Sequence, residues 1–120
     1  MKILIVDDSK TMRMIVKRTL RQAGYGDAEI TEADNGQKGL DSVKTSKPDL
    51  VLCDWNMPEM NGLEFLKATN AAGIKVNFGF VTSEGTAEMR QIAAENGALF
   101  LISKPFTADT FKKELGGILS

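Results

Sequence analysis

Unbroken apolar runs recur along the chain and define the pattern of its predicted strands. Three of these runs are four residues long and lie at 3–6, 50–53 and 99–102. Such runs are typical of strands buried on both faces of a parallel sheet, where helices cover each side. Two less regular segments, 28–33 and 76–81, predict a second and a fourth strand. The fourth is weakened by Gly79, which has no side chain to pack.

The segments between these runs have apolar residues every three to four positions, which predicts amphipathic helices. The predicted helices cover 9–23, the stretch after the turn at 34–36 up to about Ser46, 63–70, a stretch capped by Thr86 and ended at 96–97, and a stretch capped by Thr107. Five strand–helix units with short connections predict an α/β fold. We expect a doubly wound five-stranded parallel sheet flanked by five helices, as one domain spanning residues 1–120.

Polar residues with useful chemistry stand at the carboxyl ends of the predicted strands. Asp7 and Asp8 follow the first strand, and Asp54 ends the third. Thr82 follows the fourth strand, and Lys104 comes just past the fifth. Because parallel strands all point in the same direction, we expect these groups to converge on one edge of the sheet, where this class of fold binds ligands.

The chemistry that uses all five groups is phosphorylation of a carboxylate. Three clustered carboxylates repel one another unless a cation or a proton neutralises them, and oxygen ligands without His or Cys favour Mg²⁺. Asp54 would be the nucleophile that attacks phosphorus, with Asp7 and Asp8 holding the metal. Lys104 and Thr82 would bind the phosphoryl oxygens.

Composition and charge exclude several other classes of function. The 120 residues are 42% hydrophobic and 26% charged, with a formal net charge of -1, so a broad surface for nucleic acid is not expected. The chain has no histidine and therefore no imidazole base. The single cysteine, Cys53, lies in an apolar run and is interpreted as a buried hydrophobe. The first apolar run is too short for a signal peptide or a membrane span, which favours the cytoplasm.

Four short motifs stand at the predicted strand ends: Ile5-Val6-Asp7-Asp8-Ser9, Asp54-Trp55-Asn56-Met57-Pro58-Glu59-Met60-Asn61-Gly62, Val81-Thr82-Ser83 and Lys104-Pro105-Phe106. In this order they resemble the receiver domain of the two-component response-regulator family, over essentially the whole chain. The resemblance implies a flavodoxin-like sheet with strand order 2-1-3-4-5. It also implies that Asp54 accepts a phosphoryl group from a histidine kinase, and that the peptide bond before Pro105 is cis.

The same resemblance implies roles for further residues at this edge. Mg²⁺ would be held by Asp8, Asp54 and the main-chain carbonyl of Asn56, with Asp7 acting partly through water. The chain would catalyse its own phosphorylation and dephosphorylation at Asp54, with no separate substrate. Asn56 and Glu84 occupy positions that tune the lifetime of the phosphoryl group, and both match the single-domain chemotaxis type, which implies a short-lived acyl phosphate.

An output surface is expected on the fourth helix, fifth strand and fifth helix, with candidate residues Met89, Leu101, Phe106 and Lys113. The chemotaxis resemblance implies an output partner such as the flagellar motor switch. The family usually has Tyr or Phe where this chain has Leu101, so the aromatic ring that moves on activation in the family is absent. We expect a monomer when unphosphorylated, with no nucleic-acid partner and no membrane insertion.

Other functions share parts of this pattern. A receiver of this type could serve a non-motility phosphorelay or act as a phosphate sink. A flavodoxin-like electron carrier has the same architecture, but Asp7 and Asp8 would repel a flavin phosphate. A phosphatase or mutase with an aspartyl-phosphate intermediate usually has a second acid two residues after its nucleophile, where this chain has Ser9. An interaction module with an inactive site would give no reason for five matching groups at one edge.

Overall fold

The structure is a computed structural model that describes residues 1–118. Within that range the chain forms one five-stranded parallel sheet whose strands are β1 (Lys2–Val6), β2 (Glu29–Ala33), β3 (Leu50–Cys53), β4 (Asn77–Thr82) and β5 (Phe100–Ser103). Their order is β2-β1-β3-β4-β5, so the expected doubly wound fold and strand order are confirmed. Strand bounds differ from the predicted ones by at most one residue, since apolar patterning locates the middle of a strand better than its ends.

The helices alternate with the strands as the periodicity predicts. They are α1 (Lys10–Leu20), α2 (Gly36–Ser46), α3 (Gly62–Ala71), α4 (Ala87–Glu95) and α5 (Ala108–Gly116). The segment Arg21–Tyr25 follows α1 and contains a kink at Gly24, whose φ of 99° is the left-handed conformation in which glycine is favoured. No helix within residues 1–118 combines the length and the apolar character needed to cross a membrane.

Each of these five helices begins at a polar residue whose side chain accepts a hydrogen bond from a backbone N–H of the first turn. These capping residues are Ser9, Asn35, Asn61, Thr86 and Thr107. A cap of this kind satisfies one of the N–H groups that have no partner within the helix. The caps also end the segments that connect each strand to the next helix; four of these segments are two to four residues long, and the one after β3 (54–61) is eight residues long.

The hydrophobic core consists of two layers, one on each face of the sheet. Leu4 and Val6 face a cluster completed by α2, α3 and α4, whereas Ile3 and Ile5 face a cluster completed by α1 and α5. This alternation follows from the two-residue period of a strand. Cys53 is fully buried, in agreement with its interpretation as a small hydrophobe.

The space beside Gly79 in β4, where a side chain would otherwise lie, is filled by an aromatic ring. It lies opposite Phe100 of β5 in the sheet register. A Cβ atom at Gly79 would collide with the Phe100 ring. The glycine that weakens this strand in the sequence pattern therefore makes room for a large side chain from the neighbouring strand. Phe100 is only 8% exposed as a result.

Candidate functional site

Three carboxylates meet at the carboxyl edge of the sheet, where β1 and β3 end. The N–H of Asp7 donates to the carbonyl of Ala33 at 3.1 Å, and the N–H of Asp54 donates to the carbonyl of Val6 at 2.9 Å. Both residues thus continue the hydrogen-bond pattern of their strands by one position. Asp8 completes the group, and one carboxylate oxygen from each of the three lies within 4.8 Å of the others.

Two of these carboxylates are almost fully buried. The side chain of Asp7 is 5% exposed and that of Asp54 is 11% exposed. Burial raises the pKa of both carboxyl groups above its ordinary value. The charge of Asp54 raises the pKa of Asp7 further, and the backbone N–H of Ser9 and the ammonium of Lys104 oppose that rise.

Lys104 places its ammonium between the two buried carboxylates. Its Nζ lies 3.6 Å from Oδ2 of Asp7 and 3.8 Å from Oδ2 of Asp54. Its backbone N–H donates to the carbonyl of Thr82 at 2.8 Å, which joins the ends of β4 and β5. The Lys104–Pro105 peptide bond is cis, as the family resemblance implies.

The cluster has the donor chemistry of a site for a hard divalent cation. Its candidate ligand atoms are carboxylate oxygens from Asp7, Asp8 and Asp54, and these three carboxylates outnumber the single ammonium of Lys104. A divalent cation would neutralise the remaining negative charge, and Mg²⁺ prefers a small number of carboxylates of this kind. Asn56 is adjacent, since its backbone N–H donates to Oδ1 of Asp54 at 3.4 Å.

Thr82 and Glu84 lie at the same edge of the sheet but differ in exposure. Thr82 is fully buried at the end of β4. Its hydroxyl accepts the backbone N–H of Glu84 at 3.4 Å, and the Glu84 side chain is exposed. The hydroxyl therefore lies at the start of the loop that leads to α4.

The four candidate output residues lie in different parts of the fold, three of them in the two core layers and one on the surface. Met89 of α4 is half-buried and packs in the same cluster as Leu101 of β5, which is 6% exposed. Phe106 lies in the opposite layer, where its ring stacks on Phe111 at 4.9 Å between centroids. Lys113 is exposed on α5. Because Leu101 is buried, a partner would sense its substitution through the packing rather than through direct contact.

The model of one family, the response regulator receiver domain, matches residues 3–116. The chain belongs to this family. The chemotaxis protein CheY-3 of Vibrio cholerae serotype O1 is 42% identical over 120 residues, covering 98% of this chain and 91% of that protein. The chemotaxis protein CheY homolog of Campylobacter jejuni is 39% identical over 122 residues, covering 99% and 92%.

Solved receiver structures have the same fold. The chemotaxis protein CheY4 of Vibrio cholerae superimposes on this receiver domain with a TM-score of 0.85 at 34% identity, and the match covers 98% of each chain. The receiver domain of the Francisella response regulator 1452 gives a TM-score of 0.85 at 23% identity, covering 98% and 94%. The second likeness concerns the fold alone.

The sequence pattern misses Arg13 as part of the receiver's site. Its guanidinium, on α1, donates to the backbone carbonyl of Asp7 from Nη1 at 2.5 Å and to Oε1 of Glu32 from Nε at 3.0 Å. Lys17 also binds Glu32, and that hydrogen bond is the main cause that lowers the pKa of the Glu32 carboxyl. An arginine on a helix usually points to solvent, so nothing in the sequence marks this one.

Gly62 is required at its position for a steric reason that the sequence does not reveal. A Cβ atom there would collide with the backbone carbonyl of Asp54. The N–H of Gly62 donates to the carbonyl of Trp55 at 2.8 Å. The start of α3 therefore lies directly against the backbone of Asp54, and only glycine allows that approach. Its place in the Asp54–Gly62 motif was the available signal.

Proposed function

We propose that this receiver accepts a phosphoryl group on Asp54 from the phosphohistidine of a histidine kinase, in a reaction that requires Mg²⁺. The observation that supports this most directly is the buried pair of Asp7 and Asp54 with the ammonium of Lys104 within 4 Å of both. A purely structural role for three clustered acids gives no reason for placing two of them out of water, where ionised groups are costly.

In the proposed reaction, a carboxylate oxygen of Asp54 attacks the phosphorus of the donor. A new O–P bond forms, the N–P bond of the phosphohistidine breaks, and its electron pair goes to the imidazole nitrogen. Lys104 and the hydroxyl of Thr82 bind phosphoryl oxygens and hold them in line with the attacking group. Asp7, Asp8, Asp54 and the carbonyl of Asn56 would hold Mg²⁺, which offsets the repulsion between the two anions.

The acyl phosphate is proposed to be short-lived. Water attacks phosphorus, Asp54 leaves as a carboxylate, and inorganic phosphate is released. The chain thus catalyses the removal of its own phosphoryl group and acts on no separate substrate. The exposed side chains of Asn56 and Glu84 flank the site and are the candidates that control access of this water. We expect the acyl phosphate to decay within minutes at room temperature, as measured by mass spectrometry. A half-life of hours contradicts the proposal.

The cellular role is proposed from the relatives. We infer that residues 1–120 act as a single cytoplasmic receiver domain, monomeric before phosphorylation, in a chemotaxis phosphorelay. Its partners would be a histidine kinase and an output protein, such as the flagellar motor switch, on the face formed by α4, β5 and α5. The support is the 42% and 39% identity to two chemotaxis proteins over nearly their whole length.

Trp55 provides the first test, because it is the only tryptophan and follows Asp54. Its ring is half-buried and packs 4.8 Å from that of Phe80, so movement at the site should change its fluorescence. We expect a saturable change on Mg²⁺ titration, a second change with acetyl phosphate, and a mass gain of one phosphoryl group. Asp54→Asn should abolish the mass gain, whereas Asp27→Asn, an exposed aspartate away from the cluster, should keep it. No mass gain in the wild type contradicts the proposed function.

A further inference from the structure

Arg90 joins α4 to the outermost strand of the sheet. Its Nη1 donates to the backbone carbonyl of Leu101 at 2.8 Å, and its Nη2 donates to the hydroxyl of Ser103 at 3.0 Å. Among residues 1–118, β5 pairs with β4 alone, so its other edge would leave backbone groups without a strand partner. One guanidinium therefore binds both the edge of β5 and the last residue of that strand.

Gly85 brings the preceding loop against the same hydroxyl. A Cβ atom at Gly85 would collide with Oγ of Ser103 and would lie 3.3 Å from Nη2 of Arg90. The loop between β4 and α4 thus packs directly against the Arg90–Ser103 contact and leaves no room for a side chain at Gly85. A side chain at this position would separate the loop from β5.

Ser103 stands between the two groups that are proposed to bind the phosphoryl oxygens. It pairs with Thr82 in the sheet register and directly precedes Lys104. The N–H of Lys104 donates to the carbonyl of Thr82 at 2.8 Å, which ties the backbone on either side of this register pair together. A backbone shift at Thr82 or Lys104 toward a phosphoryl group would therefore carry Ser103 with it and change its contact with Arg90.

We propose that Arg90 is a positioning residue that couples the occupancy of the Asp54 site to the position of α4. This inference rests on the proposed function and names the regulation of that same site. When Thr82 and Lys104 move toward the phosphoryl oxygens, Ser103 changes its distance to the guanidinium, and α4 follows through Arg90. Coupling of this kind is reciprocal, so loss of the contact must also change the affinity of the site for its ligand.

The test compares Arg90→Ala and Ser103→Ala with the wild type. Hydrogen exchange is followed over residues 86–95, without ligand and with Mg²⁺ plus beryllofluoride, a phosphoryl mimic; acetyl phosphate uptake is followed by mass. We expect loading to change exchange in the wild type, and each variant to reduce that change about fivefold while still taking up phosphate. The beryllofluoride affinity should change by a similar factor. Arg90→Lys, which keeps the charge but not the two-point contact, should be intermediate.

A matched control separates this coupling from a loss of charge or of stability. Arg18 is an exposed helical arginine on α1, and Arg18→Ala should respond to loading like the wild type. The double variant of Arg90 and Ser103 should be no worse than Arg90→Ala alone, because Arg90→Ala already removes the contact with Ser103.

Three results would overturn the coupling. Unchanged loading effects in both Arg90→Ala and Ser103→Ala contradict it and leave the phosphoacceptor function intact. A loss in Arg18→Ala equal to that in Arg90→Ala assigns the effect to net charge and contradicts it as well. Failure of the wild type to gain mass contradicts the proposed function, and the coupling with it.

Discussion

At the scale of single residues, the main feature is a conflict between charge and burial. Asp7 and Asp54 are removed from water next to each other, and Lys104 supplies one positive charge between them. Ionising both carboxyls in this environment costs free energy. Functional sites commonly retain groups that lower the stability of the fold, because the same groups bind the ligand. The site should therefore be less stable without a cation than with one.

Removal of the Asp7 charge should stabilise the metal-free protein. Burial raises the pKa of Asp7 above its ordinary value of 3.8 in the folded state. Between that value and the folded pKa, the folded state holds more protons than the unfolded state, so the free energy of unfolding falls as pH rises. Asp7→Asn should raise the free energy of unfolding by about 1 kcal/mol at neutral pH in urea unfolding without Mg²⁺. The gain should shrink below about pH 4, where both states are protonated.

Asp27→Asn is the control for this charge removal, since Asp27 is exposed and stands outside the cluster. It should leave the stability within about 0.5 kcal/mol of the wild type. A loss of stability in Asp7→Asn at neutral pH would show that the hydrogen bond from Ser9 outweighs the cost of the buried charge.

Gly79→Ala should destabilise the protein because its methyl group would enter the Phe100 ring. Forcing extra volume into a packed core costs about 2 kcal/mol. The measurement is urea unfolding, and Phe100→Leu in the same chain should recover part of the loss. Gly116→Ala is the matched control, since a Cβ there meets nothing within 4 Å. Equal stability of the two alanine variants would refute the steric account.

At the scale of elements, the strand-to-helix connections hold the site. Ser9 shows how one residue serves both: its backbone N–H donates to Oδ1 of Asp7 at 2.9 Å, and its hydroxyl caps α1 by accepting the N–H of Met12 at 3.2 Å. Asn61 and Glu64 form a capping box at the start of α3, after the loop that follows Asp54. The orientation of the carboxylates thus depends on the starts of the helices.

Arg13→Ala should weaken binding of Mg²⁺ because the carbonyl of Asp7 loses its partner on α1. Residues that orient metal ligands in this way typically affect affinity by about tenfold. Lys17→Ala is the matched control, because Lys17 binds Glu32 as Arg13 does but does not reach Asp7. Both are titrated with Mg²⁺ by the fluorescence of Trp55. Equal affinities in the two variants would exclude the role of Arg13.

At the scale of the whole molecule, the site exists only when the sheet is assembled. Its acids come from the ends of β1 and β3, and its ammonium comes from the end of β5. β1 and β3 are neighbours in the sheet although β2 lies between them in sequence, which brings Asp8 close to Asp54. A ligand of this site therefore binds the folded state and has no comparable site in the unfolded chain.

Mg²⁺ should consequently stabilise the whole domain. At one hundred times the dissociation constant, a ligand that binds only the folded state adds about 2.7 kcal/mol to the free energy of unfolding. Urea unfolding with increasing Mg²⁺ measures this gain. Asp8→Asn should reduce it strongly, and Asp27→Asn should keep it. A stability that does not depend on Mg²⁺ would contradict a metal site at these carboxylates.

The local features of the fold were readable from the sequence. Apolar runs predicted the strands, and polar caps such as Ser9, Thr86 and Thr107 predicted the helix starts, because both signals depend on residues close together in the chain. The convergence of Asp7, Asp54 and Lys104 also followed, since parallel strands present their carboxyl ends at one edge. The strand order came from the family motifs rather than from the pattern.

The tertiary structure alone decided how these groups are held. Three contacts join elements that are separate in the sequence. They are the hydrogen bond from Arg13 to the carbonyl of Asp7, the hydrogen bond from Arg90 to Ser103, and the packing of the Phe100 ring over Gly79. Such contacts depend on side-chain directions after the sheet has formed, and each residue alone matches an ordinary surface or core pattern. The sequence therefore determined which elements form and which groups meet, and the packing determined how far each carboxylate is buried and what moves with it.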